Sequence, residues 1–114
     1  MIEREIIAYK NYYDDFVSTL SAEVIKKIHY IFDMLATEKR VSKKFVKYVK
    51  EGIYEIRIMY NGNIYRVFFI FDEGKIIVLF NGFQKKTQEL PEREIQKAIR
   101  IKQEYYEYKQ NQKH

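Results

Sequence analysis

The chain has 114 residues, room for one domain rather than two, since an independent hydrophobic core generally takes about 100 residues. Its 46% hydrophobic and 17% aromatic content, with four glycines and one proline, excludes disordered, collagenous and low-complexity classes, and the lack of cysteine excludes disulfides and thiolate metal sites. Lysine plus arginine exceed aspartate plus glutamate by 21 to 16, an excess that favours a polyanionic partner only where the positive charge is concentrated.

In chain order, residues 3–9 (EREIIAY) are rich in β-formers and predict a short first strand. Residues 12–20 carry Tyr13, Phe16, Val17 and Leu20 at three- and four-residue spacing and predict a short helix. Ser21 predicts the N-cap of a second helix, on which Val24, Ile25, Ile28, Ile31, Phe32 and Leu35 keep helical spacing as far as Thr37 and Glu38. Residues 38–50 (EKRVSKKFVKYVK) place Val41, Phe45, Tyr48 and Val49 at roughly helical spacing, so a basic turn of helix or a tethered loop is expected there. Beyond Gly52 the period becomes two. Ile53–Tyr60 and Ile64–Phe71 flank Asn61-Gly62, the strongest short hairpin signal, and Lys75–Phe83 follows Glu73-Gly74 as a third strand of an antiparallel meander. Pro91 suits a first helical position, and Ile95, Ala98, Ile99, Lys102, Tyr105 and Tyr106 mark one face of a last helix to about Tyr108, followed by a fraying tail, KQNQKH. The expectation is one α+β domain over residues 1–114, a small antiparallel-rich sheet with two N-terminal helices and a C-terminal helix, in the order β-α-α-β-β-β-α. With no apolar run near the roughly 18 residues of a membrane span and no signal-peptide core, a soluble cytoplasmic protein without membrane association is expected.

The hairpin register carries the chemistry. A two-residue Asn61-Gly62 loop sets Tyr60 against Asn63 and therefore Arg57 directly against Arg66. Opposed like charges cost roughly 0.2–1 kcal/mol, which an anionic ligand would repay. Glu55 shares their face; either it bridges the arginines in an ordinary solvated network, or it orients Arg57 or acts as a base within a site. A two-residue Glu73-Gly74 loop would extend the row to Asn81, with Lys85 one pleat past Phe83. The opposite face, with Ile56, Ile58, Val67 and Phe69, should lie under helices, and the face with Arg57 and Arg66 should be open to solvent. Lys39, Arg40, Lys43, Lys44, Lys47 and Lys50 precede the hairpin, and Lys85 and Lys86 follow the meander. Charge gathered at one sheet edge, with Phe45, Tyr48 and Tyr60 for stacking, fits nucleic acid, while a solvated lysine-rich face is the plainer alternative. With only His29 and His114, neither a histidine metal site nor a metal or organic cofactor is expected. His29 reads as a structural residue inside the second helix and His114 as part of the terminal tail. Cleavage of RNA by its own 2′-hydroxyl needs that hydroxyl deprotonated, the phosphorane charge stabilised and the 5′-oxygen neutralised, and arginines serve the second need.

Residues 53–106 resemble the phage-derived, HigB-like branch of the RelE/ParE toxin superfamily. The shared marks are the Y-E-I-R strand, the N-I-Y-R strand after the Asn-Gly turn, the N-G-F-Q-K-K-T-Q segment and the P-x-x-E-I-x-x-A opening of the last helix. The resemblance implies a RelE-like fold and the toxin of a type II toxin–antitoxin pair that cleaves messenger RNA on the ribosome. Its implied partner is a helix-turn-helix, HigA-like antitoxin, held in a hetero-oligomer. By the same resemblance Arg57, Arg66, Lys85 and Lys86 are the catalytic candidates, and Tyr105 or Tyr106 stands where the family often has a tyrosine or histidine acid or base. Gyrase inhibitors of the ParE type share the superfamily, so gyrase inhibition is an alternative, as is a non-enzymatic basic adaptor.

Overall fold

The computed structural model describes residues 2–112; His114 lies outside them. Five strands and three helices follow one another among the described residues: β1 (Glu5–Ala8), α1 (Tyr12–Val17), α2 (Ala22–Thr37), β2 (Val46–Lys50), β3 (Ile53–Tyr60), β4 (Asn63–Asp72), β5 (Ile76–Lys85) and α3 (Glu92–Gln112). The strands form one mixed sheet in the order β1-β5-β4-β3-β2, with β1 parallel to β5 and every other pair antiparallel. No helix of the described residues is long and apolar enough to cross a membrane.

Local chemistry accounts for the element ends. The Ser18 and Thr19 hydroxyls donate to the carbonyls of Asp15 and Phe16 and stop α1 short of Leu20. Ser21 caps α2 by accepting from the Val24 N–H at 3.3 Å, and the Arg4 guanidinium takes the carbonyls of Leu35 and Glu38, both at 2.8 Å, at its other end. Three hairpin turns use the same device, a residue at positive φ followed by glycine at positive φ: Glu51-Gly52, Asn61-Gly62 and Glu73-Gly74.

Both sheet faces are covered. Helices α1 and α2 pack on the face of Ile56, Ile58, Val67, Phe69, Ile77 and Leu79, as the alternation requires. Gly82 lets α1 come close: a Cβ there would meet the Phe16 ring at 2.3 Å. Helix α3 packs Ile95, Ala98, Ile101 and Tyr105 on the other face, against Ile53, Phe68, Ile70, Val78, Phe80 and Phe83.

Four expectations are corrected. Residues 46–50 form strand β2, so the order is β-α-α-β-β-β-β-α. The helical spacing of Phe45, Tyr48 and Val49 comes from a register shift between Tyr48 and Lys50, which interrupts the period of two. The arginine face is not an open surface, because its apolar residues are covered by α3 and Arg66 is buried. Asn81 does not lie beside Arg66. Asp72 pairs with Ile76, making the last loop three residues long, and a bulge opposite Phe68 adds one more, so Phe83 faces Arg66. Helix α3 also runs to Gln112 instead of fraying after Tyr108, since the Lys109 ammonium donates to Asp72 at 2.6 Å.

Candidate anion site on the arginine face

The Asn-Gly turn sets the β3–β4 register, and Arg57 lies opposite Arg66. Two residues along β3, Glu55 projects to the same side, and its Oε2 is 3.4 Å from the Nε of each arginine. Glu55 is 3% exposed and Arg66 4%, whereas the Arg57 side chain keeps 33% of its surface in water. The cluster is thus a carboxylate shared by a buried and an open guanidinium. Burial lowers the Arg66 pKa, an effect that Glu55 opposes and Arg57 reinforces. Arg66 also donates from Nη1 to the Tyr65 carbonyl at 3.1 Å, and Arg57 from Nη1 to the Lys43 carbonyl at 3.5 Å. Among the described residues, Glu55 Oε1 has no hydrogen-bond partner. Two cations around one anion leave a net positive charge beneath an accessible guanidinium, an arrangement able to hold a phosphate or an oxyanion.

The other candidates divide by position. Lys85 pairs with Ile64, two residues from Arg66 along β4, and so reaches the arginine face; with Lys86 it lines a hollow of about 550 Å³ beside the Asn61-Gly62 turn. Lys44 lines a second, larger cleft together with Arg57 and Arg66. Lys43, Lys47 and Lys50 are exposed on or just before the edge strand β2. Lys39 and Arg40 are exposed beyond the end of α2, where the Lys39 carbonyl accepts from Arg4 at 3.2 Å.

Tyr105 is placed elsewhere. Its hydroxyl donates to Asp72 Oδ2 at 2.5 Å, and burial together with that carboxylate pushes its pKa up. Asp72 is six residues beyond Arg66 on β4, roughly 20 Å along the strand. Tyr106 packs against Tyr105 at the same end, with its pKa raised by burial. Asn81 anchors the start of α3, donating to the carbonyl of Glu94 at 3.2 Å and to its Oε1 at 3.0 Å.

A cleft of about 710 Å³ brings Lys44, Phe45 and Tyr60, all expected near nucleic acid from the sequence, together with Lys27, Tyr30 and Met59, which were not. Strand β2 pairs with β3 only as far as Val46 and Ile56, so the turn end of β3 runs past it and α2 supplies the opposite wall. The available signal was the flank of α2: Lys27 and Tyr30 are three apart, beside the buried stripe of Val24, Ile28, Ile31 and Leu35.

No curated protein matches the chain significantly. A family model described as Phage derived protein Gp49-like (DUF891) matches residues 15–103, taking in Glu55, Arg57, Arg66, Lys85 and Lys86. The chain therefore belongs to the Gp49-like family of phage-derived proteins, a family of the RelE/HigB toxin type.

Proposed function

We propose that this chain is the toxin of a type II toxin–antitoxin pair, a metal-independent endoribonuclease that cuts messenger RNA on the ribosome and is silenced by a helix-turn-helix antitoxin. The observation that carries the reading is the pair of arginines opposed across β3 and β4 around one buried carboxylate. In cleavage by the RNA's own 2′-hydroxyl, the 2′-oxygen attacks the adjacent phosphorus, negative charge gathers on the phosphorane, and the 5′-oxygen departs. Arg57, whose side chain stays partly in water, contacts the scissile phosphate; Arg66 reinforces that charge stabilisation from below. Glu55 offsets the repulsion between the guanidinium groups and fixes their directions before substrate arrives. Lys85 and Lys86 support binding or neutralise charge on the leaving side, and the basic arm from Lys39 to Lys50 holds RNA phosphates.

Arg57→Gln is the discriminating variant, because Arg57 is half-buried and its loss leaves the buried Glu55–Arg66 pair intact. Induction in growing cells, with mapping of messenger 5′ ends and measurement of DNA supercoiling, tests the reading. New 5′ ends within translated codons are expected for the wild type, reduced about 10²- to 10³-fold by Arg57→Gln. Growth arrest with intact messages and inhibited gyrase would overturn it. Unchanged RNA together with no effect of charge reversal at Arg57 would favour the adaptor.

A further inference from the structure

The cleft between α2 and the turn end of β3 adjoins the arginines but contains chemistry that phosphate binding does not use. Tyr30, 60% exposed, meets Phe45 edge to face with ring centroids 6.2 Å apart, and Met59 stands 63% exposed on β3. Lys44 Nζ lies 5.4 Å from the Phe45 ring centroid and Lys27 Nζ 5.6 Å from that of Tyr60. Lys27, Lys44, Arg57 and Arg66 all line the cleft, and among the described residues no aspartate or glutamate does. Its volume, about 710 Å³, falls in the range of small-ligand pockets.

Aromatic surface bordered by cations is the pairing that single-stranded nucleic acid requires: rings stack on bases while ammonium and guanidinium groups take phosphates. A partner strand added to the β3 edge fits less well. The Met59 carbonyl already accepts from Lys27 Nζ at 2.8 Å, which occupies an acceptor that such a strand would need.

We propose that this cleft is a nucleobase subsite, in which the base next to the phosphate held by Arg57 stacks against Tyr30 and Phe45, with Lys27 and Lys44 on the flanking phosphates. The proposal rests on the RNA reading above and adds a determinant of which bases flank the cut. It separates two roles, charge stabilisation on the sheet face and base selection at the sheet edge.

The test uses the full-length chain with methyl-labelled methionine and ring-labelled tyrosine, titrated with adenylyl-adenosine, adenosine monophosphate and ribose 5-phosphate and followed by NMR. Saturable ring-current shifts at the Met59 methyl and Tyr30 ring are expected with both nucleotides and not with ribose 5-phosphate. Tyr30→Ala should weaken the dinucleotide about ten- to hundredfold, by analogy with loss of one base–aromatic stack. Phe45 is half-buried, so Phe45→Tyr serves as the conservative check and should preserve binding. In a translating extract, Tyr30→Ala should shift the base preference around the cuts, whereas Arg57→Gln should lower cutting at every codon alike, by about 10²- to 10³-fold.

Equal shifts with ribose 5-phosphate would show anion binding only and overturn the subsite, as would the absence of any shift with the wild type. A Tyr30→Ala variant that keeps the nucleotide response but loses a co-purifying protein would assign the cleft to that partner and also overturn it. A wild type that cuts messages while the cleft stays silent refutes the subsite alone; saturable base binding without any message cleavage refutes the nuclease reading alone.

Discussion

Arg66 and Glu55 are buried together, at 4% and 3% exposure, with Arg66 Nε 3.4 Å from Glu55 Oε2. Desolvation of each ion is offset mainly by the other, because Arg57, the third member, remains partly in water. Removing one buried partner should therefore cost about 3–5 kcal/mol, as Arg66→Ala or Glu55→Ala, while Arg57→Gln should cost less than about 1 kcal/mol. The double variant Glu55→Leu/Arg66→Met should be more stable than either single alanine variant, since no unpaired buried ion remains. Urea unfolding midpoints, with unchanged m-values, measure all four.

The exposed lysines should act on RNA binding through counterion release rather than through the chemical step. Replacing Lys47 and Lys50 by alanine is expected to flatten the dependence of log K on log salt by about 0.7 per lysine, with cleavage at saturation retained. Binding titrations at several salt concentrations, alongside single-turnover cleavage, read the two effects separately.

Alkaline stability should report on Tyr13. Its hydroxyl is buried without a hydrogen-bond partner among the described residues, and burial, with a smaller contribution from Asp14, raises its pKa to about 12. A phenol whose native pKa lies above the unfolded value of about 10 contributes stability that is fully present below pH 10 and lost as the pH rises through the native value. Tyr13→Phe should be neutral or slightly stabilising at pH 7 and should remove about 2–3 kcal/mol of the loss between pH 10 and 12. Thermal unfolding of both proteins across that window checks the sign.

Asp72 clamps the end of α3, accepting from Tyr105 at 2.5 Å and Lys109 at 2.6 Å. Asp72→Ala should raise amide exchange from Tyr105 to Gln112 by an order of magnitude or more, while amides of β3 and β4 near Arg57 and Arg66 keep their protection. Equal loss of protection at both places would show that the sheet and the helix end open as one unit.

The parts of the site legible in the sequence were those set by short-range rules. Asn61-Gly62 fixed one hairpin length, and the pairing of Arg57 with Arg66 followed from that two-residue loop. Asn81 was misplaced because a three-residue loop and a bulge each added one residue to the count, and a bulge leaves no mark in a period of two. Strand β2 was hidden for the same reason. The burial of Arg66 depended on which face α3 would choose, a tertiary matter, although Ile53, Phe68 and Ile70 on the arginine face were already too apolar for water. The cleft was beyond local reading, since its walls come from α2, the segment before β2 and the far end of β3.

The parallel pairing of β1 with β5 has a consequence for the order in which the molecule is made. Strands β2 to β5 join their sequence neighbours through short glycine turns, but β1 joins residues 5–8 to residues 76–79. Loop-closure entropy delays such distant pairings until the local ones are in place. During synthesis β1 therefore waits for β5, and this pairing forms only after residues 76–79 have emerged. Destabilising substitutions at Ile6 should accordingly speed unfolding and leave the folding rate unchanged, whereas equivalent changes in the β3–β4 hairpin should slow folding.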